Sequence, residues 1–169
     1  LIYRKRFFKL LHAEPLTLMV NNAGGIRDTT RDILYVKGEL NNELVHVFVN
    51  HWPSRRDGGV ETEYKRVIAA EEIIKKVEDI KLHELDPSII VMGDFNDDPS
   101  SISIQNLTEG AGLYNAMEKL HIPDSSGTSV YSGSTRRRLE TFKSLFLCRS
   151  TKIKHPSLQK RLKINNGTS

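Results

Sequence analysis

The sequence predicts an α/β fold, and three observations carry that expectation. Two apolar segments separated by Asn41-Asn42 span residues 31–52, a long charged-and-apolar segment covers 60–85, and a short apolar run at 89–92 breaks into acids and amides. The second apolar segment, the long segment and the short run form a strand-helix-strand unit. Its crossover is expected to be right-handed, with the two strands parallel in one sheet.

Taken in chain order, "PLTLMV" (15–20) reads as a strand and "NNAGGIRDTT" (21–30) as a polar, Gly-containing loop. "RDILYVKGEL-NN-ELVHVFVNHW" reads as a β-hairpin, because Asn tolerates the positive φ that a two-residue turn demands. In its second strand Val45, Val47 and Val49 alternate with Leu44, His46 and Phe48, and both sets are largely apolar, which predicts a central strand. "PSRRDGG" is a loop. The helix expected from about Val60 to Leu85 rests on Tyr64, Val67, Ile68, Ile74, Val77 and Ile80, which recur near the helical period. Asp86-Pro87 stops it, and Ile89 to Met92 is the next strand. Beyond Pro99, residues 100–120 predict a short helix and the start of another, and "GTSVYSGS" (127–134) a strand followed by a turn. No internal repeat is present.

A length of 169 residues allows one domain with a proper core. An apolar share of 38% and a charged share of 27% describe an ordinary soluble composition, and no apolar run is long enough to predict a membrane span. "LIYRKRFFKLL" has no signal-peptide pattern. With a single cysteine, Cys148, no internal disulfide can form. Asn106 and Asn166 begin glycosylation sequons, which matter only in a secretory context. The net charge of +4 is unevenly placed. Residues 136–169 hold ten Lys/Arg and one acid (Glu140), whereas residues 1–135 hold fifteen and twenty. The body is mildly acidic and the tail basic. Such a tail is either a nucleic-acid arm or a segment with no binding role.

Two motifs carry chemistry. In Asn50-His51-Trp52-Pro53-Ser54-Arg55-Arg56, an imidazole at a strand end can assist a leaving oxygen and an arginine can hold a phosphate. The competing reading is a structural His beside a packing Trp. In Gly93-Asp94-Phe95-Asn96-Asp97-Asp98-Pro99, Asp94, Asn96 and Asp98 stand at the first, third and fifth positions of a calcium loop. Pro99 and Gln105 occupy its obligatory Gly and Glu positions, so an EF-hand is excluded. A polar turn is the remaining alternative. The β-α-β topology brings both motifs to the carboxyl rim of one sheet, where ligands of open α/β sheets bind.

Together, and in this order, the two motifs resemble the endonuclease/exonuclease/phosphatase superfamily, over roughly residues 1–133. The resemblance implies a deoxyribonuclease I-like four-layer α/β/β/α sandwich with mixed β-sheets, and hydrolysis of phosphate esters with Mg²⁺ or Mn²⁺. It implies Asp94 as the base for the attacking water, with Asn96 and His51 at the phosphate. Asn50, Ser54 and Arg55 would line the substrate, Arg55 as a phosphate contact. The pattern is incomplete. The family's N-terminal Asn and metal-binding Glu have no counterpart, no Asp follows Asp124, and His155 follows Lys154 where the family has Ser-Asp-His. The metal ligands of this chain are therefore unassigned. The expectation is a central part of the domain over 1–134, in a chain that starts inside a longer protein, and an irregular basic tail over 135–169. Alone it should be weakly active or inactive. The substrate is a phosphate ester, nucleic acid among the candidates. The alternative is a non-catalytic remnant or nucleic-acid-binding fragment that uses the basic tail.

Overall fold

A computed structural model describes residues 1–21, 25–28, 30–55 and 58–115, together with the backbone of 129–130, 139–140 and 144–149. The strands are β1 (Phe8–Leu16), β2 (Val20–Asn21), β3 (Arg27–Asp28), β4 (Ile33–Leu40), β5 (Glu43–His51), β6 (Ser88–Asp94), β7 (Tyr114–Asn115), β8 (Ser129–Val130), β9 (Leu139–Glu140) and β10 (Ser144–Arg149). The helices are α1 (Glu63–His83) and α2 (Ile102–Ala111). Six strands form a mixed sheet in the order β1-β4-β5-β6-β10-β7. Among the described strands of this sheet β5 and β6 are parallel neighbours and the other pairings are antiparallel.

The hairpin forms where expected. Asn41 (φ 52°) and Asn42 (φ 67°) both take the left-handed conformation that a turn matching the strand twist requires. β5 is central, with β4 on one side and β6 on the other. Because side chains alternate across a strand, its two apolar sets serve two faces. Phe48 joins Tyr35, Ile89 and Val91 beneath the helices, against Ala69, Ala70, Ile73, Val77, Ile104 and Leu107. Val45 and Val47 face the other way, with Phe8 and Val36. On that second face Phe8, Val47 and Met92 help to line a concavity of about 300 Å³.

Three expectations need correction. The "PLTLMV" strand is not one element: β1 ends at Leu16 and β2 begins at Val20. The long edge strand lies earlier, in the charged entry segment, because it pairs along the whole of β4 from Phe8↔Leu40 to Leu16↔Ile33. The helix is shorter than 60–85, leaving Val60 and Leu85 exposed. Its inward stripe is Arg66, Ala69, Ala70, Ile73, Val77 and Ile80. Tyr64 instead lies on the surface, where its hydroxyl donates to the Asn21 carbonyl at 2.9 Å. Small alanines win the inner position because they let the helix approach the sheet closely.

α2 supplies the short helix expected after Pro99. Among the described residues, which reach 115, no second helix begins after α2; the remainder of the stretch to 120 lies outside them, as do residues 150–169. Of the strand and turn expected over 127–134, only β8 is described. Within the segment expected to be irregular, β9 and β10 are strands. Among the described residues no helix is long and apolar enough to cross a membrane.

Candidate functional site

The parallel pairing of β5 and β6 sets the site. Its register places Asn50 beside Gly93 and His51 beside Asp94, at the carboxyl ends of both strands. The ladder runs one step further, with the Trp52 amide donating to the Asp94 carbonyl at 2.8 Å. Gly93 is indispensable to this approach. Its φ is +135°, and a Cβ there would lie 2.1 Å from the Asn50 carbonyl oxygen.

Asn50 is buried, and its side-chain amide is engaged within the protein. Its amide donates to the carbonyls of Phe48 (3.2 Å) and Met92 (3.1 Å), and its Oδ1 accepts the Trp52 indole N–H at 2.9 Å. Trp52 packs edge-on against Phe95, with ring centroids 4.8 Å apart. The interior alternation puts Asn50 on the helix side, and therefore His51 and Asp94 on the opposite face. His51 is exposed, and no described residue hydrogen-bonds to its imidazole.

Asn96 ties the two motifs together. Its Nδ2 donates to the Trp52 carbonyl at 2.9 Å, and its backbone N–H donates to Asp94 Oδ1 at 3.0 Å. A positive φ of 49°, tolerable for Asn, allows that fold-back. An amide has two N–H donors, so one remains for an anion.

The other acids are occupied. Asp97 is buried, its Oδ2 accepting from Arg66 Nε at 2.7 Å and from the Ser103 hydroxyl at 2.5 Å. Among the described residues its Oδ1 has no hydrogen-bond partner, and Arg55 Nη2 lies 3.4 Å from it. Asp98 pairs with Arg55 Nη1 at 3.2 Å. Thus the Arg55 guanidinium lies against the 97–98 carboxylates. Ser54 lies on the wall of a cavity of about 440 Å³ whose lining includes Pro53, Thr62, Thr30, Arg31 and the ion-paired Asp28 and Lys65. Arg56 lies outside the described residues. Among the described residues no group of three or more His, Cys, Asp or Glu is arranged to hold a metal ion.

Sequence reasoning missed Arg66. Its position is legible in hindsight, since it shares the spacing of Ala69, Ala70, Ile73 and Val77, and its i+4 relation to Thr62 gives it a partner at 2.7 Å.

The sequence profile of the Endonuclease/Exonuclease/phosphatase family matches residues 1–144. No curated protein matches. Among solved structures, the human Nocturnin catalytic domain with bound sulfate is 18% identical, with a TM-score of 0.60 over 86% of this chain and 49% of that one. D. rerio TDP2 in complex with a single-strand DNA product is 17% identical, with a TM-score of 0.56 over 90% of this chain and 58% of that one. An endonuclease/exonuclease/phosphatase family protein from Bacteroides thetaiotaomicron is 15% identical, with a TM-score of 0.60 over 87% and 52%. The chain spans about half the length of these structures. Their likeness establishes the deoxyribonuclease I-like α/β fold with a mixed sheet.

Proposed function

The chain belongs to the endonuclease/exonuclease/phosphatase family, and from that premise we propose that it carries the base and phosphate-binding groups of a phosphate-ester hydrolase. The observation that supports this most is the register of β5 and β6, which sets His51 beside Asp94 on one rim while Asn96 bridges to the Trp52 carbonyl.

In this reading Asp94, with one oxygen held by the Asn96 backbone, takes a proton from water as the new P–O bond forms. The second Asn96 amide N–H binds a phosphoryl oxygen. The His51 imidazolium gives its proton to the leaving oxygen as the old P–O bond breaks. Asn50 acts indirectly, by fixing Trp52. Arg55 meets a phosphate only by leaving Asp98.

Members of this family generally depend on a divalent metal, Mg²⁺ or Mn²⁺ by the resemblance. The described donors do not fit a resident ion: Asp97 is bound by Arg66 and Ser103, Asp98 by Arg55, and Asp94 is left without a second acid. No step above is routed through one. For the substrate we propose a nucleic-acid phosphate ester. The DNA product held by D. rerio TDP2 and the ten basic residues within 136–169 both favour a polyanion.

Assaying the full chain with a chromogenic phosphodiester in Mg²⁺ or Mn²⁺ tests the reading. Turnover should lie at least two to three orders of magnitude (roughly, by the loss of one charge-stabilising group) below that of a complete relative. Asp94→Ala should abolish what remains. A mononucleotide titration followed by NMR should shift the His51 and Asn96 side-chain signals even where turnover is undetectable. Equal turnover in wild type and Asp94→Ala, or no shift at either residue, overturns the assignment. Turnover matching a complete relative overturns the claim about the metal.

A further inference from the structure

We propose that Arg66, a buried cation at the start of α1, is a positioning residue that locks the two site loops to each other. The inference rests on the hydrolase reading for its purpose, although the lock itself stands on geometry alone.

Arg66 is fully buried. Toward the second motif, its Nε donates to Asp97 Oδ2 at 2.7 Å. Toward the segment that leads from the first motif into α1, its Nη2 donates to the Gly59 carbonyl at 2.8 Å and its Nη1 to Thr62 Oγ1 at 2.7 Å, and Nη1 reaches the first motif itself at the Pro53 carbonyl, 3.5 Å away. Thr62 in turn donates its hydroxyl to the Gly58 carbonyl at 2.6 Å. Two of these partners stand in the motifs that carry the candidate site residues. Asp97 directly follows Asn96, and Pro53 lies two residues after His51.

The chemistry explains why this is an arginine. The planar guanidinium projects donors in fixed directions, so one group can satisfy a carboxylate and several carbonyls at once. A lysine carries the same charge without the fork. The cost of burying Asp97 is offset by Arg66 and Ser103, and Asp97 Oδ1, which has no hydrogen bond, keeps Arg55 drawn across the outside of the loop at 3.4 Å. Asp97, gripped by Arg66 and Ser103, thus serves to hold the adjoining Asn96 in its left-handed turn.

The test is residue-resolved hydrogen exchange on the full chain, with Thr62→Val and Arg66→Lys. Thr62→Val removes one acceptor of the fork and leaves the Arg66–Asp97 pair. In both variants protection of the Trp52 indole N–H, the Trp52 amide and the Asn96 amide should fall by about tenfold or more, while Val45, Val47 and Val91 keep theirs. Mononucleotide affinity should fall with it. A role in global stability alone would lower protection uniformly, and that outcome, or no change, overturns the proposal. If Arg66→Lys does not fold, Thr62→Val decides. If wild type binds no mononucleotide but the variants loosen both loops, the hydrolase reading fails and the lock stands. If wild type binds and the variants neither loosen nor weaken, the lock fails and the hydrolase reading stands.

Discussion

Gly93 shows how far one residue can constrain this site. A Cβ there would meet the Asn50 carbonyl at 2.1 Å and carbonyl carbon at 2.8 Å, both backbone atoms that cannot swing aside. Its φ of +135° adds conformational strain for any L side chain. Gly93→Ala should therefore destabilise by about 3 kcal/mol or more, combining strain with overpacking. Gly110→Ala is the control. Its added Cβ would meet Ile74 Cδ1 at 2.8 Å, the flexible end of a side chain. Ala also gains about 1 kcal/mol of helix propensity over Gly, so that change should be close to neutral. Urea unfolding of the two variants checks both. A Gly93→Ala protein as stable as wild type would mean the strands do not meet as closely as described. At this scale the sequence was partly legible. Asp94, Asn96 and His51 announced polar groups at strand ends. Arg66 and Asp97 were not legible as a pair, because a charge between helical apolar residues ordinarily faces solvent, and only three-dimensional packing puts this one inside.

Among the elements, the hairpin and the β-α-β unit were legible because both rest on short-range signals: period-two alternation, Asn-Asn at a tight turn, and Pro87 ahead of a new strand. The first edge strand was not, since its charged alternation acquires meaning only through pairing with β4. The same long-range effect governs His46, an apolar-strand residue in sequence that proves to join three elements. Tyr35 on β4 hydrogen-bonds His46 Nδ1 at 2.8 Å, Glu84 just after α1 meets its Nε2 at 3.0 Å, and Lys37 reaches Glu84 at 2.8 Å. Burial pushes the Tyr35 hydroxyl up to about 12, assisted by the Glu84 charge. It stays protonated and donates to Nδ1, while Nε2–H donates to Glu84. Burial also lowers the His46 pKa below its ordinary 6.5; the Glu84 hydrogen bond opposes this but does not cancel it. The folded chain therefore binds fewer protons here than the unfolded chain does. That contribution to stability is complete above pH 6.5 and is lost as pH falls through the folded value, by at most about 1.4 kcal/mol per pH unit. Thermal unfolding between pH 7.5 and 5 should show this decline, and His46→Gln should flatten it. A decline of the same steepness in His46→Gln would assign the titration to other groups. Glu84, whose pKa burial raises but hydrogen bonds from Lys37 and His46 lower on balance, acts only below its ordinary 4.5, outside this window.

For the whole molecule, the basic charge gathers in the chain that follows the last described strand of the main sheet. β10 begins with Ser144 beside Asp94 at the site rim and ends with Arg149 beside Ile89 at the far end. Residues 150–169 follow from that far end and hold five Lys/Arg and no acid. As a run of cations they would serve a polyanionic substrate by raising its local concentration. Removing them takes the net charge from +4 to −1 while sparing every strand of the main sheet. Cations that neutralise phosphates on a duplex each steepen the dependence of log K on log salt by about 0.9. Truncation after Arg149 should therefore weaken duplex DNA binding at low salt and flatten that slope by up to about 4.5. Affinity for a mononucleotide, which gains little from distant charge at moderate ionic strength, should hardly change. Fluorescence anisotropy over a salt series measures the first effect and NMR titration the second. An unchanged slope would show that the basic stretch has no part in binding. A mononucleotide affinity that fell with truncation would place residues 150–169 at the reacting phosphate instead.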